Sequence, residues 1–377
     1  MKFKTTLLAL LISTTAINTA YAKFANGYYE RKLMDKDIAV MNGEGPTPIA
    51  EFLNHNRIDP QYGEQHDFTN FVDFEENLTS LVMKDGKIIF ERYNKEDIDA
   101  NFHISPMSMT KTLVGSVIGR TLCNGDIKSL NDTVGSYSKS LSNSIYSNVT
   151  IKNLLRMASG VNKNRDNEKD YNRMIRNRRN NELNDQVEII QSIQDKYSEQ
   201  GKTSIYHTLD VTAASILISE LTGKSVAEIF NDEIFTKMGA SDSLYWWEDK
   251  NGVTVGMNGS YMTTRDWAKF GQFIIDNINQ KTCMGEFYLS GIKSALPTLQ
   301  RDYQDYGFYF WVQDVSNSVF ESKPMIAFSG KFGHAMILDH YNNSVVLVTS
   351  ASKNGKYGQR HIRKDITPAM IKEASKI

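Results

Sequence analysis

Ser108-Met109-Thr110-Lys111 sets a hydroxyl and an amine three residues apart, and on a helix residues three apart share a face, so the amine can reach the hydroxyl. At a helix N-terminus the Ser108 amide would also point outward and could help hold an oxyanion. Serine is a weak nucleophile until a base takes its proton. Lysine can act as that base only where burial or a neighbouring cation lowers its pKa from ~10.4. The apolar residues Leu113, Val114, Val117, Ile118 and Leu122, at helical spacing, would supply such surroundings. The pattern is weak by itself, because Ser-x-x-Lys also occurs at Ser136, Ser290 and Ser350. A helix-capping serine followed by a surface lysine fits the spacing equally well. Context separates the four, since only Ser108 opens a long apolar helix downstream of a strand hairpin.

That hairpin is predicted from Leu78 to Lys84 and Lys87 to Tyr93, two β-branched runs joined by Asp85-Gly86, a pair that favours a tight turn. The helix after Ser108 should end at Gly125. Further helices are predicted after the caps Thr150 and Ser225, the latter with Glu228 as a capping box, from Asp210 to Leu221 ahead of Gly223, and from Thr264 to Ile275. Met325 to Phe328, His334 to Leu338 and Ser344 to Thr349 read as short strands, and Pro368 opens a last helix. Strands at both ends with helices between imply an α/β (α+β) fold: one antiparallel sheet built from both chain ends and flanked by helices, plus a mainly helical lobe.

Lys2 and Lys4 precede an apolar run from Leu7 to Ile12, and Ala20-Tyr21-Ala22 supplies small residues at a cleavage site, so residues 1–22 are expected to be a signal peptide. Ser13, Thr14, Thr15, Asn18 and Thr19 interrupt the run too soon for a membrane span of ~18–20 residues. The expected product, residues 23–377, is one hydrolase domain, periplasmic or secreted, without stable membrane insertion. It holds 41 basic and 44 acidic side chains, a formal charge of −3 that does not ask for nucleic acid. Cys123 and Cys283 would meet an oxidising compartment, but their distance in sequence does not establish a bridge and the balance is against one. Seven scattered histidines and the absence of a Cys-x-x-Cys pair argue against a metal, and no organic cofactor is expected. Residues 161–200 read as a polar surface excursion, crowded with Asn, Arg, Asp and Glu from Asn162 to Gln186.

The run ISPMSMTKTLVGSVIGRTLCNGDIKSLNDTVGSY after His103 resembles the serine-motif region of the serine β-lactamase and penicillin-binding-protein superfamily, in its class C β-lactamase-like branch. VTIKNLLRMASGV from Val149, YHTLDVTAASILISELTG from Tyr206, GSYMTTRDWAKFGQFI from Gly259 and YGFYFWV from Tyr306 are similar to later segments of that family, in its order. Within it the chain most resembles 6-aminohexanoate-dimer hydrolases and related carboxylesterases. The resemblance implies a β-lactamase/DD-peptidase-like fold, with Ser108, Lys111 and Tyr206 as the catalytic residues. In the second motif Thr208 stands where β-lactamases use an amide side chain to hold the substrate, and His207 alternates away from Tyr206 and reads as structural. Two registers compete for the third motif. Phe328-Ser329-Gly330 is preferred over Lys331-Phe332-Gly333 and would place the Lys331 amide beside that of Ser108 as a second oxyanion donor.

Phe328 cannot meet a β-lactam carboxylate as the family's cation does, so it and Thr208 both count against efficient β-lactam hydrolysis. Trp246, Trp247, Tyr309 and Trp311 either line an acyl cleft or, as is commoner for such residues, pack the core. Hydrolysis of a small-molecule ester, amide or peptide through a Ser108 acyl-enzyme is the expected activity. The alternatives are a β-lactamase or D-amino-acid-specific peptidase, and an inactive cell-wall-peptide binding protein.

Overall fold

A computed structural model describes residues 49–96, 98–161, 176–177, 182–183, 185–194, 196–302, 304–313, 323–352 and 358–377. The expected signal peptide and most of residues 162–184 lie outside them. The hairpin forms where the β-branched runs require it, as β1 (Asn77–Lys84) and β2 (Lys87–Tyr93). Asp85 and Gly86 both take positive φ, 50° and 74°, which matches the right-handed twist of the strands they join. The remaining strands of this sheet are β3 (Leu296–Pro297), β4 (Gln304–Tyr306), β5 (Trp311–Gln313), β6 (Met325–Ser329), β7 (Ala335–Asp339) and β8 (Ser344–Ser350). Their order is β2-β1-β8-β7-β6-β5-β4-β3, antiparallel throughout. The join between the chain ends is β1 with β8, from Lys84 opposite Ser344 to Asn77 opposite Ser350.

Every residue of β6, β7 and β8 is buried, so both faces of the sheet centre are covered. Helix α3 (Thr264–Asn279) packs on β1, β7 and β8, and α5 (Thr367–Ala374) on β7 and β8. The helical part is built around α1 (Thr110–Asn124), which contacts α2 (Leu209–Thr222) and α4 (Cys283–Lys293) and buries nearly its whole circumference. Gly125 and Gly223 end α1 and α2 in the left-handed conformation, and the Ser225–Glu228 capping box forms.

Three features differ from expectation. A second, four-stranded sheet joins Ile49–Phe52, Leu244–Trp247, Ser260–Thr263 and His103–Ile104. Strands this short carry too few alternations to show a period of two. The sheet matters because His103 pairs with Thr263 only five residues before Ser108. The polar stretch also returns to the core earlier than expected: the helix Gln186–Ser192 buries Ile189 and Ile190, and the Gln186 side-chain amide donates from Nε2 to the Val253 carbonyl at 2.7 Å.

The third difference is a disulfide between Cys123, at the end of α1, and Cys283, at the start of α4. Helix packing brings together residues 160 apart, which spacing alone could not reveal. In a chain-entropy view, closing so long a loop contributes about 5 kcal/mol at most. The double variant Cys123→Ser/Cys283→Ser is therefore expected to lose ~2–5 kcal/mol in urea denaturation, and an unchanged midpoint would show that the bridge adds nothing.

Candidate active site

Ser108 sits in a tight 3-10 turn, Met107–Met109, that leads directly into α1. Met107 adopts φ +54°, a conformation costly for a residue with a Cβ, and the chain bends there so that Ser108 is only half-buried. The turn is fixed from the small sheet, where the Ser260 and Thr110 hydroxyls share a buried 2.7 Å hydrogen bond. One helical turn on, Lys111 is 1% exposed. Its ammonium donates to Ser108 Oγ at 3.0 Å and to the Met257 carbonyl at 2.7 Å, and stands 5.4 Å from the centre of the Tyr206 ring. The structure thus brings Ser108, Lys111 and Tyr206 to one place.

Tyr206 precedes α2 and is held as a platform. Its ring stacks on Trp311 of β5 at 5.3 Å, meets the edge of Tyr306 at 5.5 Å, and its backbone amide donates to Gln300 Oε1 at 3.2 Å. Behind it lies a buried polar cluster centred on Asp210. One oxygen of that carboxylate accepts from the Tyr146 hydroxyl at 2.9 Å and the Ser159 hydroxyl at 2.6 Å, and lies 3.3 Å from His207 Nε2. The Tyr309 hydroxyl donates to the Asp210 carbonyl at 2.8 Å. Burial, reinforced by the Asp210 charge, pushes the Tyr146 and Tyr309 phenols well above their ordinary pKa, so both stay neutral donors. His207 therefore belongs to a structural network, as its alternation from Tyr206 suggested.

Thr208 is buried. Its hydroxyl is enclosed at the head of α2, with no hydrogen-bond partner among the described residues, so the expected role in holding substrate is not supported by its placement.

Of the two triplets considered for the third motif, Phe328 and Ser329 end β6 with Gly330 directly after them, and the other lies in the turn beyond. Gly330 runs against the turn that carries Ser108: a Cβ built on Gly330 would lie 1.9 Å from the Pro106 carbonyl oxygen, so only glycine permits the approach. Lys331, Phe332 and Gly333 form a 3-10 turn beyond the strand, with Phe332 buried at φ +68°. The Lys331 side chain is exposed, its ammonium 5.1 Å from the centre of the Phe332 ring. Adjoining this turn, burial and the Arg363 charge push the His334 imidazole down to about 3. The ring is therefore neutral, and Nδ1 can accept from the Ser350 amide at 3.3 Å.

One expectation at this motif is corrected. Phe328 does not face the site; it is buried, with its ring 5.9 Å from that of Phe270 in α3. Successive residues of a strand point to opposite faces, so it is Ser329 whose side chain turns toward the neighbouring loop. There Arg301, which sequence reasoning overlooked, donates to Ser329 Oγ at 3.0 Å and to Gln304 Oε1 at 2.7 Å. Its guanidinium lies 3.6 Å from the centre of the Trp311 ring. A cation thus stands beside the motif after all, from a loop with no periodicity to announce it.

Of the four aromatics, only Trp311 adjoins Tyr206. Trp246 packs on Phe230 and donates to the Val255 carbonyl, Trp247 packs on Tyr261, and Tyr309 is held by Asp210. The Met257 carbonyl was also beyond sequence reasoning, since any residue type carries one.

An antiparallel sheet assembled from both chain ends, flanked by helices and joined to a helical part that begins at the Ser-x-x-Lys turn, defines the β-lactamase/DD-peptidase fold. The chain belongs to the β-lactamase family, whose model matches residues 77–366, and is a hydrolase of that family. Among solved structures it is similar to a protein assigned as a 6-aminohexanoate-dimer hydrolase from Bacillus anthracis, at 17% identity and a TM-score of 0.74 over 88% of this chain and 92% of that one. A penicillin-binding protein from Bacillus halodurans is similar at 16% identity and a TM-score of 0.60, over 81% of this chain and 99% of that one. A family VIII carboxylesterase is similar at 14% identity and a TM-score of 0.59, over 85% and 99% respectively. Among curated proteins, none matches the sequence.

Proposed function

We propose that the chain hydrolyses an ester or a linear amide in two steps. The observation that carries this reading is the buried Lys111 amino group, its Nζ 3.0 Å from a half-buried Ser108 hydroxyl. Ser108 Oγ bonds to the carbonyl carbon as its proton passes to the Lys111–Tyr206 pair, which must start one proton short of an ammonium and a phenol. The tetrahedral oxyanion is held by the amides of Ser108 and Lys331, each near the open start of a short 3-10 turn where backbone donors lack helical acceptors. The alcohol or amine leaves with a proton from the same pair. Water then cleaves the acyl-enzyme and releases the acid. A fluorophosphonate probe should label Ser108, located by peptide mass. Label on another residue, or none, would overturn the assignment and favour an inactive binding protein.

Arg301 favours a second reading, in which the substrate carries a carboxylate, as β-lactams and D-amino-acid peptides do. Against it stands the second motif, which offers no side-chain amide for an acylamino group. One unmet buried polar pair costs about 1–3 kcal/mol, or ~10- to 100-fold. We therefore expect p-nitrophenyl butyrate to exceed nitrocefin at least ~10-fold in kcat/KM, and Arg301→Met to leave ester turnover within ~3-fold. Comparable values in the parent enzyme, with nitrocefin turnover collapsing in Arg301→Met, would replace the ester reading by the carboxylate one.

The leader supports export to the periplasm or beyond with residues 23–377 as one domain, and a disulfide suits such a compartment. N-terminal sequencing of the exported protein should begin at Lys23; a start at Met1 would remove this part of the proposal.

A further inference from the structure

The peptide joining Gly330 to Lys331 is gripped from the C-terminal end of the chain. Arg363, in the π-helical turn Ile362–Ile366 just before α5, donates from Nη2 to the Gly330 carbonyl at 2.6 Å. The same nitrogen lies 3.0 Å from Gln359 Oε1, which steadies the guanidinium. On the other side of the residue, the Gly330 amide donates to the His334 carbonyl at 2.9 Å. In a planar trans peptide the C=O and the next N–H point in opposite directions. Whatever holds the Gly330 oxygen therefore aims the Lys331 N–H, and a cation on the oxygen also polarises that N–H.

We propose that Arg363 is a positioning residue for the oxyanion site: it fixes and polarises the Gly330–Lys331 peptide so that the Lys331 amide meets the tetrahedral oxygen formed on Ser108. This rests on the acyl-enzyme reading above. Arg363 touches no reacting atom, so its effect should appear in transition-state binding rather than in substrate affinity. The close approach of Gly330 to Pro106 leaves the peptide little room to find the same orientation unaided.

The test compares p-nitrophenyl butyrate with its thiono counterpart, whose sulfur is a poor hydrogen-bond acceptor and draws little from an oxyanion site. Arg363→Met is expected to lower kcat on the oxoester ~10- to 100-fold with KM within ~3-fold, and to shrink the oxo-to-thiono preference ~10-fold. Arg363→Lys, which keeps a cationic donor, should recover most of both. An unchanged oxo-to-thiono ratio in a folded Arg363→Met variant would show a merely structural role and overturn the proposal. If that variant does not fold, Gln359→Leu serves, with an expected ~3-fold loss of kcat and a ratio moving the same way; a fixed ratio there overturns the proposal as well. Ser108→Ala run in parallel separates the two levels. More than a tenth of the parent turnover in Ser108→Ala overturns the acyl-enzyme reading and this inference with it, whereas a Ser108→Ala variant below that level beside an unaltered Arg363→Met overturns the inference alone.

Discussion

Ser108→Ala is expected to lower kcat/KM for p-nitrophenyl butyrate by at least ~10³-fold while the thermal midpoint stays within a few degrees of the parent. The size follows from the chemistry, since without the hydroxyl no acyl-enzyme forms and only oxyanion stabilisation and binding remain to assist water. The small effect on stability follows from placement. Ser108 is half-buried at the surface of a tight turn, and the turn's other anchors, the Thr110–Ser260 hydrogen bond and the His103–Thr263 pairing, do not involve its side chain. Removing Oγ leaves the Lys111 ammonium with the Met257 carbonyl as a partner. A variant that keeps more than a tenth of the activity would place the nucleophile elsewhere.

Lys111→Ala and Tyr206→Phe should each cost ~10²-fold or more, and the double variant should be no worse than the worse single one. Lys111 is the geometric link: its Nζ contacts Ser108 Oγ and lies beside the Tyr206 ring, the arrangement that the proposed sharing of one proton among the three side chains requires. Breaking a relay at either point leaves little for the second break to remove. Tyr206→Phe isolates the hydroxyl cleanly, because the ring can keep its stack on Trp311. Losses that multiply would mean that the two residues act in separate steps and would sink the coupling. Thermal midpoints for all three variants guard against confusion with unfolding, since Lys111→Ala also opens a buried cavity.

Local signals carried much of this reading and failed where contacts are long-range. Ser108 and Lys111 were legible because three-residue spacing on an apolar helix constrains both side chains at once. Asp85-Gly86, Gly125, Gly223 and the Ser225–Glu228 box each marked an element boundary through backbone chemistry that depends on neighbours in sequence. Phe328 was misplaced because the alternation of a strand says which residues oppose one another but not which face meets the core. Arg301 and Arg363 were missed for another reason: an isolated arginine in a loop or a helix has no sequence signal until the fold brings it to a partner dozens of residues away. Ser329 is 28 positions from Arg301, and Gly330 is 33 from Arg363.

The pairing of β1 with β8 also bears on how the molecule is made. Lys84 and Ser344 are register partners across most of the chain, so the sheet centre cannot close until the last strands have emerged from the ribosome. Until then β1, buried along nearly all its length in the finished protein, presents an unpaired edge to which any other extended segment can bind. Contacts of such sequence separation slow folding, because the chain must lose loop entropy before the strands reward it. A nascent chain of this design gains from staying extended, or being held extended by a chaperone, until synthesis is complete, and truncation anywhere before Ser344 leaves an aggregation-prone fragment rather than a smaller enzyme.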